Sequence, residues 1–274
     1  MIHSRLGCST ISFRHLALGR ALRWIGSIGF AEIDLGALPG VCNHVPYELD
    51  HDAVEAVTET VRASGLRLRS INGDIGDLNR PLDADGRAAR DTHLEMLLAL
   101  TAETGAHALV LPCGALDHRP LASLDDDLDL VAHELMRAAD RAAGHGVEVW
   151  TESLHFYRLC SNIERAQQLT ERLAGTPVRV VMDFSHIVAS GGDPEDFVAR
   201  FGDRIAHVHI RDAVPGNINL SVGRGDVDFA SGLKALAAGG YTGHFALELE
   251  TRDITDDQRP AATANAAHFI SDLI

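Results

Sequence analysis

The sequence predicts a (β/α)8 barrel, and three observations lead to this prediction. Eight short apolar runs alternate with longer segments of helical periodicity, which is typical of βαβ units around a parallel sheet. The chain has 274 residues, close to the roughly 250 that eight such units need. The first run leads into Cys8-Ser9-Thr10-Ile11-Ser12 and not into a GxGxxG turn, which favours a barrel over a doubly wound sheet. We therefore expect residues 1–274 to form one α/β domain.

The predicted strands are short apolar runs bounded by polar or glycine-containing segments. In chain order they are Leu6–Ser9, Ala31–Leu35, Leu66–Ile71, Ala108–Leu111, Val147–Thr151, Val178–Asp183, Ile205–Ile210 and His244–Leu249. Barrels of this class carry their chemistry at the C-terminal ends of the strands. The residues at those ends are therefore the first candidates for a site.

The predicted helices lie between these strands and show apolar side chains three or four residues apart. The signals are a stripe in His51–Ser64 that stops at Gly65, a stripe in Ser123–Ala143 that stops at Gly144, a capping box at Ser161-Asn162-Ile163-Glu164, an N-cap and proline pair at Asp193-Pro194, and a stripe of Phe229, Leu233 and Leu236. Such start and stop signals predict separate helices between the strands.

Charge and composition limit the classes of partner that the protein is expected to bind. The chain has 24 Lys and Arg against 39 Asp and Glu, a formal charge of −15, and it has no dense basic cluster, so we expect neither nucleic acid nor an anionic membrane as a partner. No run approaches the ~20 apolar residues of a membrane span, and the first residues lack the apolar core of a signal peptide. The four cysteines form no CxxC pair. We expect a cytoplasmic protein with reduced thiols.

Four successive late strands each end in a side chain that can bind a metal. These side chains are Glu152, Asp183, His209 and Glu248. Because side chains alternate along a strand, each of them can point into the barrel while its apolar neighbours face the helices. Buried charges are costly unless they are paired or bound to metal. Three carboxylates and one imidazole suit one divalent ion, Mn²⁺, Mg²⁺ or Co²⁺, with Zn²⁺ as an alternative.

The same region resembles a known family, the sugar isomerase/epimerase superfamily with the xylose isomerase-like TIM barrel. The similarity is strongest between residues 147 and 250, in the segments Val149-Trp150-Thr151-Glu152, Met182-Asp183-Phe184-Ser185-His186, His207-Val208-His209-Ile210-Arg211-Asp212, Gly223-Arg224-Gly225-Asp226-Val227-Asp228-Phe229 and Ala246-Leu247-Glu248. The DxxH element followed by the HxHxxD element is characteristic of the superfamily and not of one substrate.

The resemblance implies a role for each matching residue. Glu152, Asp183, His209 and Glu248 match the metal ligands of ketose 3-epimerases, in which the two glutamates also move the proton. His186 matches a residue that contacts substrate or supports the metal. Substrate contacts are also expected at His155 and Arg211, and from earlier strands at His44, with Asn72, Asp74 and Cys113 as weaker candidates. His207 is expected in the core or beside the metal ligands.

The sequence also departs from related patterns. Where three-zinc AP endonucleases of this barrel carry an extra Asp and His, this chain has Asn217 and Asn219, so the resemblance does not extend to DNA repair. Where ketose epimerases usually have an arginine, this chain has Pro215. The loop Gly223-Arg224-Gly225 occupies a position that binds phosphate in many barrels, but we expect its glycines to shape a turn.

The expected function is that of a metal-dependent isomerase or epimerase of carbohydrate metabolism. It would remove a proton next to the carbonyl of a sugar, polyol or hydroxy-keto acid and pass through an enediolate. An inosose-type dehydratase, a lyase on the same site, is the first alternative. A non-catalytic carbohydrate-binding barrel or an enzyme subunit is the second. The resemblance is also compatible with a homo-oligomer.

Overall fold

Eight parallel strands close into a barrel in the computed structural model, which describes residues 1–274. The strands are β1 Leu6–Ser9, β2 Glu32–Leu38, β3 Arg67–Gly73, β4 Ala108–Pro112, β5 Glu148–Glu152, β6 Arg179–Asp183, β7 Ile205–Ile210 and β8 His244–Leu247. Strand β1 closes the ring, because Leu6 lies opposite Phe245 of β8 and Cys8 lies opposite Ile33 of β2. The predicted (β/α)8 TIM barrel is confirmed.

Helices connect the strands and cover the outside of the barrel. They are α1 Leu18–Ile28, α2 His51–Ser64, α3 Ala84–Glu103, α4 Leu124–His145, α5 Ile163–Arg172, α6 Phe184–Ala189, α7 Pro194–Phe201, α8 Phe229–Ala238 and α9 Arg259–Ser271. None of these helices combines the length and the apolar character that a membrane span requires.

Two predicted helix ends were wrong by one or two residues. Helix α4 continues through Gly144 and ends at His145, because Gly146 is the residue that adopts the left-handed conformation, with φ 69°. Helix α5 is capped by Asn162, whose side chain accepts from the Arg165 amide. Asn162 and the preceding serine are both good cap residues, so the sequence alone placed the cap one position early.

Three short strands at the open end of the barrel were not predicted. Cys42–Asn43 pairs antiparallel with the end of β2, and Asp212–Val214 forms an antiparallel hairpin with Asn217–Leu220 after β7. They are too short to produce an apolar run of their own. They build up the loops that surround the C-terminal ends of the strands.

The apolar core lies mainly between the strands and the helices, where 63 buried residues form one cluster. The inside of the barrel has a much smaller apolar cluster of Ala108, Val110, Trp150 and Val181. The Trp150 ring lies 5.6 Å from the ring of His207. Elsewhere, the thiols of all four cysteines are buried and form no disulfide. Buried polar side chains occur toward both ends of the barrel, with Glu32 at the N-terminal ends of the strands and Glu152, Asp183, His209 and Glu248 at the C-terminal ends.

Candidate metal centre

The structure brings the side chains of the four strand-end residues together. Glu152, Asp183, His209 and Glu248 come from β5 to β8, and each offers one ligand atom within 4.8 Å of the others. All four are buried, with exposed fractions of 6, 1, 0 and 4 %. The register of the strands places these residues near one level, since Asp183 pairs with His209 and Glu248 directly follows the last residue of β8. The ring of strands therefore concentrates three carboxylates around one imidazole.

His209 lies at the centre of this cluster. Its Nδ1 atom is 3.0 Å from Oε1 of Glu152 and 3.5 Å from Oε2 of Glu248. Burial disfavours the charged imidazole, but the carboxylates of Glu248, Asp34 and Glu152 raise the pKa of His209 well above its ordinary value. A proton on His209 thus partly balances the carboxylates, a role that a divalent cation would fill more completely.

The two glutamates have different protonation properties. Burial, with the nearby Glu152 carboxylate, raises the pKa of Glu248 to about 7, although His209 acts in the opposite direction. Burial also favours a higher pKa for Glu152, but the hydrogen bond with His209 and the charges of the nearby histidines outweigh burial and lower this pKa to about 2. A pair of carboxyl groups with separated pKa values is typical of sites that use one group as acid and the other as base.

Asp183 is held in place by the residues that follow it. Its Oδ1 atom accepts from the Ser185 amide at 2.7 Å, the Ser185 hydroxyl at 2.6 Å and the His186 amide at 3.3 Å, which makes it the cap of helix α6. Its Oδ2 atom accepts from Arg211 at 3.2 Å. Because Oδ1 is already saturated, Oδ2 is the oxygen that remains for an ion.

A cleft at the open end of the barrel leads to this cluster. It encloses about 750 Å³, its open mouth included, and both Glu152 and Glu248 line it. Asp183 and His209 do not line the cleft and lie beneath it. The cleft wall also includes Asn72, which donates to Oε1 of Glu248 at 3.2 Å. A molecule in the cleft could touch the two glutamates but not the aspartate or the histidine.

His155 and His186 form a close, tilted pair of rings on the wall beside Glu152. Their ring centroids are 3.9 Å apart. Burial lowers the pKa of His186 to about 3 and, with the neighbouring His186, that of His155 well below its ordinary value. The Phe156 and Tyr157 amides donate to Nδ1 of His186 and His155, at 3.1 and 3.3 Å. Burial thus favours the neutral form of both rings. Because Nδ1 of His155 accepts, a neutral His155 carries its proton on Nε2. Nε2 of His186 lies 3.2 Å from Nη2 of Arg211, which can only donate, so both nitrogens of His186 face donors.

The other residues predicted to bind substrate take different positions. Arg211 lines the cleft and donates to Ser185, to Asp183 and, at 3.4 Å, to Glu250. His44 does not line the cleft. Its Nε2 lies 2.9 Å from the Leu16 carbonyl and its Nδ1 lies 3.2 Å from the Cys42 thiol, so both nitrogens already have partners. Asp74 lines the cleft and Cys113 is fully buried.

The loop Gly223-Arg224-Gly225 is organised by the carboxylate of Asp212. Its Oδ2 atom accepts from the Gly223, Arg224 and Gly225 amides at 2.8, 3.1 and 3.0 Å. A Cβ atom on Gly225 would collide with the same carboxylate, which explains why a glycine is needed there. The amides that could hold a phosphate already bind an anion, as expected for glycines that shape a turn.

Two residues near the centre were not among the sequence candidates. Arg158 lines the cleft and donates to the Gly114 carbonyl and to Asp74; it sits in a loop after β5 with no recognisable pattern. Asp34 lies inside the barrel against His207, at 2.6 Å. A charged residue in the middle of the apolar run 31–35 was the signal for Asp34, because such a charge is costly without a partner.

The fold and the strand-end cluster define a class of protein, the TIM barrels with a carboxylate and histidine centre at the C-terminal ends of the later strands. The sequence matches the family described as xylose isomerase-like TIM barrel over residues 22–273. The chain therefore belongs to this family.

Two curated relatives are dehydratases. The 3-dehydroshikimate dehydratase of Pseudomonas aeruginosa is 28 % identical over 155 residues, which are 53 % of this chain and 24 % of that protein. The inosose dehydratase of Geobacillus thermodenitrificans is 26 % identical over 155 residues, 49 % of this chain and 50 % of that protein. The matches thus span between about a quarter and a half of the length of these relatives.

Solved structures share the whole fold at lower identity. The 3-keto-D-glucoside 4-epimerase of E. coli superposes with a TM-score of 0.77 at 21 % identity, covering 97 % of this chain and 100 % of that one. The IOLI protein with a bound zinc atom superposes with a TM-score of 0.79 at 17 % identity, covering 98 % and 99 %. At these identities the likeness shows the fold.

Proposed function

We propose that the chain is a divalent-metal-dependent isomerase or epimerase that moves a proton next to a carbonyl group. Its substrate is a small sugar, polyol or hydroxy-keto acid. One observation carries this proposal: of the four clustered ligand residues, only Glu152 and Glu248 also line the cleft. The two side chains that can reach a substrate are thus carboxylates that stand beside a cation site.

The proposed ligands of one ion are Glu152, Asp183, Glu248 and Nδ1 of His209. Oxygen ligands with one imidazole suit Mn²⁺, Mg²⁺ or Co²⁺, and a Zn²⁺ ion also accepts this set. The fold neighbour IOLI holds a zinc atom. When bound, such an ion supplies Lewis acidity that stabilises the negative charge of an enediolate.

The proton transfers are assigned to the two glutamates. One of Glu152 and Glu248 removes the proton from the carbon next to the carbonyl, and the other returns a proton. Return to the opposite face gives an epimer. Return to the neighbouring carbon, together with transfer of the hydroxyl proton to the former carbonyl oxygen, gives an isomer. A nearby cation keeps the two carboxylates ionised, and a substrate that expels water from the cleft raises their basicity.

His155, His186 and Arg211 are assigned to substrate binding. His155 turns Nε2 toward Glu152, at 3.8 Å, so a substrate oxygen beside Glu152 can accept from it. His186 turns Nε2 toward Glu152 at 4.0 Å and toward Arg211 at 3.2 Å, so it can contact a substrate beside either residue. Arg211 holds Asp183 and approaches Glu248 to 4.0 Å. Its remaining hydrogen-bonding capacity is small, so we assign it mainly to orienting the carboxylates.

A dehydratase is the second candidate, and the two curated relatives named as dehydratases favour it. The same first step, removal of a proton next to a carbonyl, leads to dehydration if a hydroxyl on the β-carbon then leaves as water. The glutamate that returns a proton to carbon in an epimerase would give it to the leaving hydroxyl instead. The residues and the metal are the same for both reactions.

The test is carbon–proton exchange in D₂O. Protein loaded with Mn²⁺ or Mg²⁺ is incubated with a panel of ketoses, an inosose and 3-dehydroshikimate, and the substrates are then examined by NMR after metal removal. Exchange at the carbon next to the carbonyl supports the isomerase or epimerase; a new ultraviolet absorption from an enone supports the dehydratase. Full activity in metal-free protein would refute both, and bound metal without any reaction would favour a non-catalytic binding barrel.

A further inference from the structure

Asp34 is a buried carboxylate between two imidazoles, directly below the metal centre. Its Oδ2 atom lies 2.6 Å from Nε2 of His207 and 3.5 Å from Nε2 of His209. Asp34, His207 and His209 are 1, 1 and 0 % exposed. A carboxylate in such a position destabilises the fold unless its hydrogen bonds compensate for the lost water. The hydrogen bond from His207 supplies part of this compensation.

The two ring nitrogens of His209 face different groups. Nδ1 points to Glu152 and Glu248, whereas Nε2 is buried without a hydrogen bond and has Asp34 as its neighbouring carboxylate at 3.5 Å. A neutral imidazole can bind an ion through Nδ1 only when its proton is on Nε2. A carboxylate facing Nε2 stabilises that tautomer.

We propose that Asp34 is a positioning residue of the metal centre, which accepts the Nε2 proton of His209 and so holds Nδ1 free for the ion. His207 donates to the same carboxylate from the other side and fixes its orientation. This inference rests on the proposed metal-dependent function. It adds a residue from β2 to a centre whose other members come from β5 to β8.

The same three side chains could in principle hold a second ion, because their ligand atoms lie within 4.8 Å of one another. Two observations favour the positioning role. An ion between Asp34 and His207 would displace the hydrogen bond of 2.6 Å from Nε2 of His207 to Oδ2, whereas that oxygen can accept a second hydrogen bond from His209 without losing the first. None of the three residues lines the cleft, so an ion there could not touch a substrate. The stoichiometry of metal binding separates the two roles.

The first test uses the wild-type protein, so it does not depend on a variant that folds. Protein with ¹⁵N-labelled histidine is loaded with Zn²⁺, which is diamagnetic, and the His209 tautomer is determined by long-range ¹H–¹⁵N NMR. The expected result is a proton on Nε2 and the ion on Nδ1. An ion on Nε2, or a proton on Nδ1, would overturn the inference.

The second test compares the Zn²⁺ affinity of Asp34→Asn with that of Glu32→Gln. Glu32 is a matched control: it lies on the same strand, is 4 % exposed and contacts Arg69 and His244 at the opposite end of the barrel. We expect Asp34→Asn to weaken binding about 10- to 100-fold, the usual effect of losing such a partner, and Glu32→Gln to leave it unchanged.

The outcomes of the second test are distinguishable. Equal affinity in wild type and Asp34→Asn would overturn the role of Asp34 while the metal centre stands. Two ions per chain, one of them lost in Asp34→Asn, would show a second site instead. No binding by the wild type would refute the proposed function itself. If Asp34→Asn does not fold, His207→Gln takes its place, with a smaller expected loss of affinity because Asp34 remains.

Discussion

The two ends of the barrel both contain buried carboxylates, but they balance them differently. At the N-terminal ends of the strands, which we call the closed end, the buried acid is Glu32. It faces Arg69 at 3.2 Å, Arg67 at 3.7 Å and His244 at 2.6 Å. At the open end, Glu152, Asp183 and Glu248 share His209 and Arg211. The closed end has more cationic partners than acids; the open end has more acids than partners.

This difference separates a structural ion cluster from a candidate functional one. A buried acid whose partners are all supplied by the protein needs nothing further. A group of acids with too few partners must keep protons, as the raised pKa of His209 and of Glu248, about 7, indicates, or must bind a cation. The open-end acids Glu152 and Glu248 line the cleft described above. Glu32 also lines a surface pocket, but it does so together with Arg67 and Arg69, the residues that already pair with it.

Removal of the metal should have the largest effect on turnover and stability, and this effect should come from the open end of the barrel alone. Dialysis against a chelator should abolish turnover, and Mn²⁺ or Mg²⁺ should restore it. At a free metal concentration about 100 times the dissociation constant, binding should stabilise the fold by about 2.7 kcal/mol. Differential scanning calorimetry with and without metal measures this. Metal should stabilise the Glu32→Gln variant by the same amount. If metal did not stabilise this variant, the two ends of the barrel would not be independent.

Substitution of the two glutamates should have the next largest effect. Glu152→Gln and Glu248→Gln should each lower kcat by at least ~100-fold, the usual scale for loss of an acid or base, while the folded structure persists. Steady-state kinetics and metal analysis of the purified variants check this. Near-normal turnover in both would show that other groups move the proton.

In metal-free protein, Glu248 at the open end should make the free energy of unfolding depend on pH. Burial raises the pKa of Glu248 from its ordinary 4.5 to about 7, so between these values the folded chain binds more protons than the unfolded chain. Its contribution to stability is therefore present at low pH and is lost as pH rises through this window. A pKa difference of this size corresponds to about 3 kcal/mol.

The measurement is urea unfolding of chelated wild type and chelated Glu248→Gln between pH 4.5 and 7.5. The difference between the two proteins isolates Glu248, since the other titrating groups occur in both. The wild type should lose stability relative to the variant as pH rises. A constant difference would mean that Glu248 titrates normally.

Glu32→Gln should have the smallest effect on function. Loss of the carboxylate leaves Arg69 and His244 without their charged partner, so the free energy of unfolding should fall by roughly 1–3 kcal/mol. Because the closed end is remote from the cleft, kcat should stay within twofold of wild type. A large loss of turnover at unchanged metal content would show that the two ends are coupled.

The sequence predicted the architecture well because each barrel strand is an apolar run. The predicted bounds of β1 and β7 agree with the structure. The candidate ligands could also be predicted, since a polar residue at the end of a buried strand is conspicuous, and a parallel barrel brings such ends together. The short hairpin after β7 and the cap at Asn162 depend on local geometry, which an apolar pattern does not encode.

The sequence could not show which polar residues share a partner. Arg158 and Asp74 are 84 positions apart and meet only in the folded chain, as do Asp34 and His207. Conversely, His44 looked like a candidate for substrate binding, but the Leu16 carbonyl and the Cys42 thiol contact both of its nitrogens. Such pairings depend on the packing of loops, and no spacing along the chain reports them.

The most direct test of the metal centre is anomalous diffraction from crystals soaked separately in Mn²⁺ and Zn²⁺. We expect one peak per chain, with a carboxylate oxygen of Glu152, Asp183 and Glu248 and Nδ1 of His209 within about 2.0–2.2 Å of a Zn²⁺ ion. No peak at this cluster at millimolar metal, or a peak bound by Asp34 and His207 instead, would contradict the proposed centre.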